Sequence, residues 1–216
     1  LTRWVEEGAD WKQHWAFEKP VASLPPIDPS GKLDRNPIDS FVRHRRAEAW
    51  SPTVAASPEV ILRRVWFDLV GIPPSPEDVL RFLDDPSPDR LERQLDRLFA
   101  SPHYGEKMAR GWLDSSRYAD TNGYQYDTER TQWPWRDWVI EAFNRHLPYD
   151  QFVVEQIAGD LLPEASPEQV LATGFNRNHG ITIEGGVIDE EYRTEYVVDR
   201  VVTTSTVFLG MTALCA

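Results

Sequence analysis

SPEVILRRVWFDLVGIPPSPEDVLRFLDDPSPDRLERQLDRLFASP, residues 57–102, sets Ser before Pro four times, at Ser57-Pro58, Ser75-Pro76, Ser87-Pro88 and Ser101-Pro102. Proline suits the first helical turn because its missing N–H would have no partner there, and a preceding Ser or Asn can accept a hydrogen bond from the exposed N–H groups. Acidic residues follow soon after, at Glu59, Glu77, Asp78 and Asp89, where they oppose the positive helix end. Each pair therefore predicts a helix start. The same device recurs outward at Asn36-Pro37 and at Ser166-Pro167, the latter followed by Glu168.

The apolar spacing behind these starts agrees. Leu91, Leu95, Leu98 and Phe99 recur at helical intervals, as do Trp135, Trp138, Val139, Ala142 and Phe143. Val60 to Val70 is apolar on nearly all sides, and Gly71 with Pro73-Pro74 stops it, so it predicts a core helix. Further helices are expected over 103–119, 149–159, 167–174 and 188–209. Segments 120–134 and 175–186 read as loops, with room for a short strand at Ile181-Thr182-Ile183. The Ser-Pro device has no fixed period, which disfavours a solenoid. The predicted fold is mostly α, a compact multi-helix domain with long loops and at most a small β-ribbon.

The chain divides into 1–17, a short helix running into Trp11, Trp15 and Phe17; 18–36, a Pro-rich linker or strap expected to lie over the domain; and 37–216, the helical domain. It opens at Leu1 and stops within the apolar run 207–216, which reads as a region excised from a longer protein. With 41% hydrophobic and 27% charged residues it is globular in composition. No apolar run reaches the roughly 18 residues of a membrane span. A formal net charge of -12 argues against nucleic acid or an anionic membrane surface as partner. Cys215 stands alone, which leaves no internal disulfide and no multi-cysteine zinc site.

Two constellations could carry chemistry. Glu191, Glu195 and Asp199 stack three carboxylates on one face of the last helix, where they repel one another and call for a cation. Arg193 and Arg200 point elsewhere on the wheel, which leaves Arg117, Arg136, Arg177 or a bound cation as the partner. A guanidinium fork suits a partly buried network, and removing Arg117 is expected to cost on the order of 3 to 5 kcal/mol by leaving a charge unpaired. Together with Asp120, Glu190, Arg193 and Arg200 these residues would form one polar cluster. The second constellation runs from Arg117-Tyr118-Ala119-Asp120 through Asp127, Arg130, Trp133, Trp135, Arg136 and Asp137, a mixture that can hold sugars by ring stacking and charged hydrogen bonds. The competing readings are a solvated acidic face for the first and core tryptophans with ionic partners for the second. No HExxH, G-x-S-x-G, GxGxxG or Walker A pattern is present. Cys215 reads as a small core residue, or as the first cysteine of a C-x-x-C-H haem motif whose remainder lies beyond Ala216.

The ordered blocks HWAF (14–17), RNPID (35–39), RRVWFDLVGIPPSPED (63–78), WRDWVIEAFN (135–144), PYDQFVVEQIAGDLLP (148–163), EEYR (190–193), VDRV (198–201) and LGMTALCA (209–216) closely resemble the planctomycete cytochrome-C-associated domain of unknown function, the second of the two PSCyt domains. Residues 1–13 are similar to the tail of a cytochrome-c-like module. The resemblance implies an extracytoplasmic multidomain protein, with haem c attached in the full-length chain through Cys215 and no cofactor held by this segment alone. Its implied partners are the neighbouring cytochrome-c-like and C-terminal domains of the same chain. Three functions follow as expectations: a haem-associated redox or electron-transfer module, a docking scaffold, or a carbohydrate-active enzyme using carboxylates from Glu191, Glu195, Asp120 and Asp127.

Overall fold

The computed structural model describes residues 1–9, 11, 13–26, 36–46 and 54–213. They fall into two compact units, 1–55 and 56–216. In the first, α1 spans Thr2–Glu6, a 3-10 turn spans Trp15–Phe17, and α2 spans Pro37–Arg45. The expected helix over 1–17 is thus shorter, because Gly8 and Ala9 turn left-handed at φ of 103° and 52° and end it. Helix α2 begins as its Asn-Pro pair predicts: the Asn36 side chain accepts from Ile38 N, and Asp39 returns a carboxylate to Asn36 N. Residues 18–26 hold no helix beyond that turn, and 27–35 lie outside the described residues.

The second unit holds α3 (Pro58–Leu69), α4 (Pro76–Asp84), α5 (Arg90–Phe99), α6 (Pro102–Ser115), α7 (Trp133–Asn144), α8 (Tyr149–Ala158), α9 (Pro167–Ala172) and α10 (Asp189–Leu209). Among the described residues the fold is helical, and its β-type pairing is an isolated antiparallel bridge between Thr121 and Glu129. No strand forms at 181–183. There Ile181 N donates to Asn122 O while Thr182 N donates to the Tyr196 hydroxyl, so no ladder can run.

Ser87-Pro88 does not begin a helix; α5 starts at Arg90. The Ser87 hydroxyl and N–H are both taken by the Asp85 carboxylate, and those bonds, joined by Arg93, pull the Asp85 carboxyl down to about 2. With its side chain spent backwards, Ser87 cannot cap forwards. Helix α6 also stops earlier than the 119 expected. Arg117 turns left-handed, φ 58°, while Tyr118 N returns to Leu113 O and Arg117 N to Asp114 O. This is a Schellman stop with arginine in the position glycine usually takes.

Two cores result. Leu62, Trp66, Val70, Phe82 and Leu98 unite α3, α4 and α5. Ala109, Trp135, Trp138, Val139, Ala142, Phe152, Ala172 and Phe175 unite α6 to α9 and the 3-10 turn after α9. Trp135 and Trp138 of α7 are thus core anchors, with Trp138 stacked on Phe152 at 5.5 Å, whereas Trp133 at the start of the helix is exposed. The α6–α7 approach is set by Gly105, whose N–H donates to Asn144 Oδ1 at 2.7 Å. A Cβ at Gly105 would stand 2.4 Å from the Ile140 carbonyl oxygen. Between α4 and α5, buried Asp78 accepts from Arg97 at 2.7 Å and Arg81 at 3.2 Å, and bonds Ser75. Burial opposes its ionisation, yet Arg97 and Ser75 prevail and hold the carboxyl below its ordinary range.

Gly105→Ala is expected to lower stability by about 2 kcal/mol through overpacking, roughly 4–8 °C in Tm, measured by thermal unfolding. Asp78→Asn should lose about 2 kcal/mol at neutral pH. Because the folded pKa is depressed, the Asp78 contribution is present above its unfolded value of about 3.9 and lost as pH falls through the folded value. Unfolding free energies between about pH 5 and pH 2 should therefore fall less steeply in the variant than in the parent, and equal slopes would remove the assignment.

Candidate functional site

The left-handed stop at Arg117 turns the chain into the loop 118–132, which lacks regular secondary structure and so must satisfy its backbone groups by other means. Tyr118 donates its hydroxyl to Asp120, whose other oxygen accepts from Gln132 N at 3.2 Å. Burial, then that bond to Asp120, pushes the Tyr118 phenol up to about 12, so it remains a donor. Asp127 accepts from Gly123 N at 2.6 Å, and that N–H with the Thr121 side chain holds its carboxyl below the ordinary range.

Arg130 ties this loop to the chain leaving the 3-10 turn. Its guanidinium donates to four main-chain carbonyls: Ala119 at 3.3 Å, Arg177 at 3.2 Å, Asn178 at 3.4 Å and His179 at 2.8 Å. Gln132 adds buried bonds to Gly174 O and Asn178 Oδ1, both at 2.8 Å. His179 then stacks on Tyr196 of α10 with ring centroids 4.8 Å apart. Burial, aided by Arg200, Arg130 and Arg177, depresses the His179 pKa, so the ring is neutral at neutral pH and its Nδ1–H donates to Gly180 O.

Between this loop, the 178–180 segment and α10 lies a cleft of about 500 Å³. Arg117 and Asp199 form an ion pair in its wall, joining the end of α6 to α10. Glu195, one turn earlier on α10, lines the same cleft, together with Tyr124, Val198 and Val202. Of the other residues singled out from the sequence, Ala119 and Arg130 also line the cleft and the rest lie elsewhere. Arg136 bonds its neighbour Asp137 at 2.8 Å. Glu190 and Arg193 pair with each other on the exposed side of α10. Glu191 is exposed, and Arg200 borders a separate small cavity beside His179. Asp120 and Asp127 serve the loop, and Cys215 lies outside the described residues. Asn122, Tyr124, Gln132, Asn178 and Tyr196 were not singled out. The pair Tyr192 and Tyr196 at i and i+4, and the polar run Asn176-Arg177-Asn178-His179-Gly180, were the available signals.

Among the described residues no group of three or more His, Cys, Asp or Glu could hold a metal ion, and no helix is long and apolar enough to cross a membrane.

The Arg117 side chain is 49% exposed and that of Asp199 27%, so this pair is worth about 0.2–1 kcal/mol, which corrects the 3 to 5 expected from the sequence. The left-handed backbone at Arg117 costs roughly another 1 kcal/mol that glycine would not incur. Arg117→Gly should therefore fold within about 1 kcal/mol of the parent, whereas Arg117→Ala, which keeps the strain and loses the pair, should be about 1 kcal/mol less stable than the glycine variant in urea unfolding. Equal stability of the two variants would refute the strained stop.

No curated protein and no solved structure matches the chain. The family PSCyt2, protein of unknown function (DUF1549), matches residues 37–216, from the first residue of α2 through α10 and beyond. The chain belongs to the PSCyt2 family.

Proposed function

We propose that this domain is the haem-c-associated redox module of an extracytoplasmic multidomain protein, with α10 carrying the haem-attachment segment against the aromatic core. The observation that carries the reading is the end of α10. Phe208 sets its ring edge-on against Trp112 and Phe175, at centroid distances of 5.4 and 5.0 Å. Gly210 then turns left-handed, and Met211 N returns to Ser205 O at 3.0 Å. The chain thus leaves a rigid, keyed helix five residues before Cys215.

The residues beside this exit suit the group. An apolar concavity of about 310 Å³, lined by Trp112, Ala142, Phe143, Leu147, Tyr149 and Phe152, shares Trp112 with the Phe208 contact. Cys215 would hold the haem by a thioether, and the aromatic lining would exclude water from its edge. When bound, the haem supplies one-electron transfer, with burial as the protein's lever on its potential. The partner that exchanges electrons would be the neighbouring cytochrome-c-like module of the same chain.

A glycosidase reading is less well supported. Such catalysis needs two carboxyl groups free to flank one bond. Asp120 has both oxygens bonded within the loop, and the depressed pKa of Asp127 keeps it ionised and unsuited to donate a proton.

The full-length protein, matured in a haem-attaching host, should carry haem that survives acid-acetone extraction and denaturing electrophoresis. Cys215→Ala should reduce that covalent haem strongly. A full-length protein without covalent haem would overturn the reading, and undiminished haem in Cys215→Ala would move the attachment elsewhere.

A further inference from the structure

We infer that the cleft beside α10 binds a neutral polyhydroxylated ligand, a saccharide unit, without cleaving it. A volume of about 500 Å³ lies within the range of small-ligand sites, about 300–1,000 Å³. Its charges select the class. Two cations, Arg117 and Arg130, and two anions, Glu195 and Asp199, line it, so it is formally neutral. Each cation is already matched: Asp199 balances the Arg117 charge, and four main-chain carbonyls take the Arg130 guanidinium. A phosphate, sulfate or carboxylate would meet no net positive charge in the cleft and would approach a chain of formal charge -12.

The remaining surface matches what a sugar ring presents. The partly exposed Arg117–Asp199 pair sets donor and acceptor side by side, the arrangement that two adjacent hydroxyls satisfy, one donating to the carboxylate and the other accepting from the guanidinium. Glu195 adds a second acceptor four residues away on α10. Between these polar groups stand Val198, half exposed, and Val202, with the ring of Tyr124 also partly exposed. These give the C–H face of a pyranose an apolar rest. The walls are preorganised by Arg130, by the Gln132–Asn178 bond and by the Asp127 bond to Gly123, which lowers the ordering cost of a weakly held ligand. Of the two carboxylates that line the cleft, Asp199 is held by Arg117, and loop bonds occupy Asp120 and Asp127 outside the lining. Glu195 therefore has no second free carboxyl across the cleft with which to act as an acid and base pair.

The test is a glycan array carrying neutral, amino and sulfated oligosaccharides, followed by calorimetric titration of the full chain with the neutral oligosaccharide that binds. Binding to at least one neutral oligosaccharide is expected, weakened tenfold or more by Asp199→Asn. Val198→Trp, which fills the cleft from an exposed position, should abolish binding while leaving Tm within a few degrees. Tyr124→Ala should weaken it while leaving the circular-dichroism spectrum unchanged. Binding confined to sulfated or to amino sugars would overturn the assigned class. No binding anywhere on the array, or binding untouched by both Val198→Trp and Tyr124→Ala, would overturn the site. The result stands apart from haem attachment, because Cys215→Ala protein should bind the same sugar.

Discussion

The Arg130 guanidinium holds together the part of this domain that helices leave unfinished. A helix satisfies its own backbone groups, but the loop 118–132 and the segment 177–182 have no ladder to do so. One planar fork with five N–H donors reaches carbonyls on both sides. A lysine would bring three donors on a compact, strongly hydrated head and could not span the same set. Burial, then the nearby Arg177, works against the charge and lowers the Arg130 pKa, Asp120 and Asp127 oppose them, and the hydrogen bonds to carbonyls fix where the guanidinium sits. The loop therefore behaves as a wall, and the cleft has a defined shape.

Helix α10 connects that wall to the aromatic core. Its 21 residues extend about 30 Å at 1.5 Å per residue. The N-terminal half meets the loop through Tyr192 against Tyr124, Tyr196 against His179, and Asp199 against Arg117. The C-terminal half buries Val202 and Thr203 and ends on Phe208 against Trp112 and Phe175. One rigid element thus carries the polar cleft and the exit toward Cys215.

What was legible in the sequence is what local chemistry decides. Asn36, Ser57, Ser75, Ser101 and Ser166 precede helices whose first residue is proline, and all but Ser57 also cap through the side chain, because cap and proline act within one turn. Ser87 differs because Asp85, two residues back, competes for its hydroxyl and N–H. Arginine at a left-handed stop was not legible, since sequence rules look there for glycine or asparagine, and His146 repeats the pattern at the end of α7 with φ 52°. At the site, three stacked carboxylates implied a cation, and the wheel pointed away from Arg193 and Arg200. That the Arg117 contact falls on Asp199, 82 residues on, while Arg136 turns to Asp137, depended on tertiary placement. The Arg130 cluster was illegible in kind, because its partners are main-chain carbonyls that carry no residue identity.

The position of Arg117 separates a structural role from a site role. A left-handed arginine costs roughly 1 kcal/mol and its half-exposed pair returns at most about as much, so the residue is close to neutral for folding. Glycine would close α6 without the strain, and an ion pair at the surface is a weak reason to forgo it. What glycine could not do is set a guanidinium beside Asp199 on the cleft wall. His146 makes the same left-handed stop outside the cleft lining, so at Arg117 it is the guanidinium beside Asp199, and not the strain, that points to a ligand. Gly105 makes the opposite case: there the missing Cβ is demanded by the Ile140 carbonyl, and packing alone accounts for the residue.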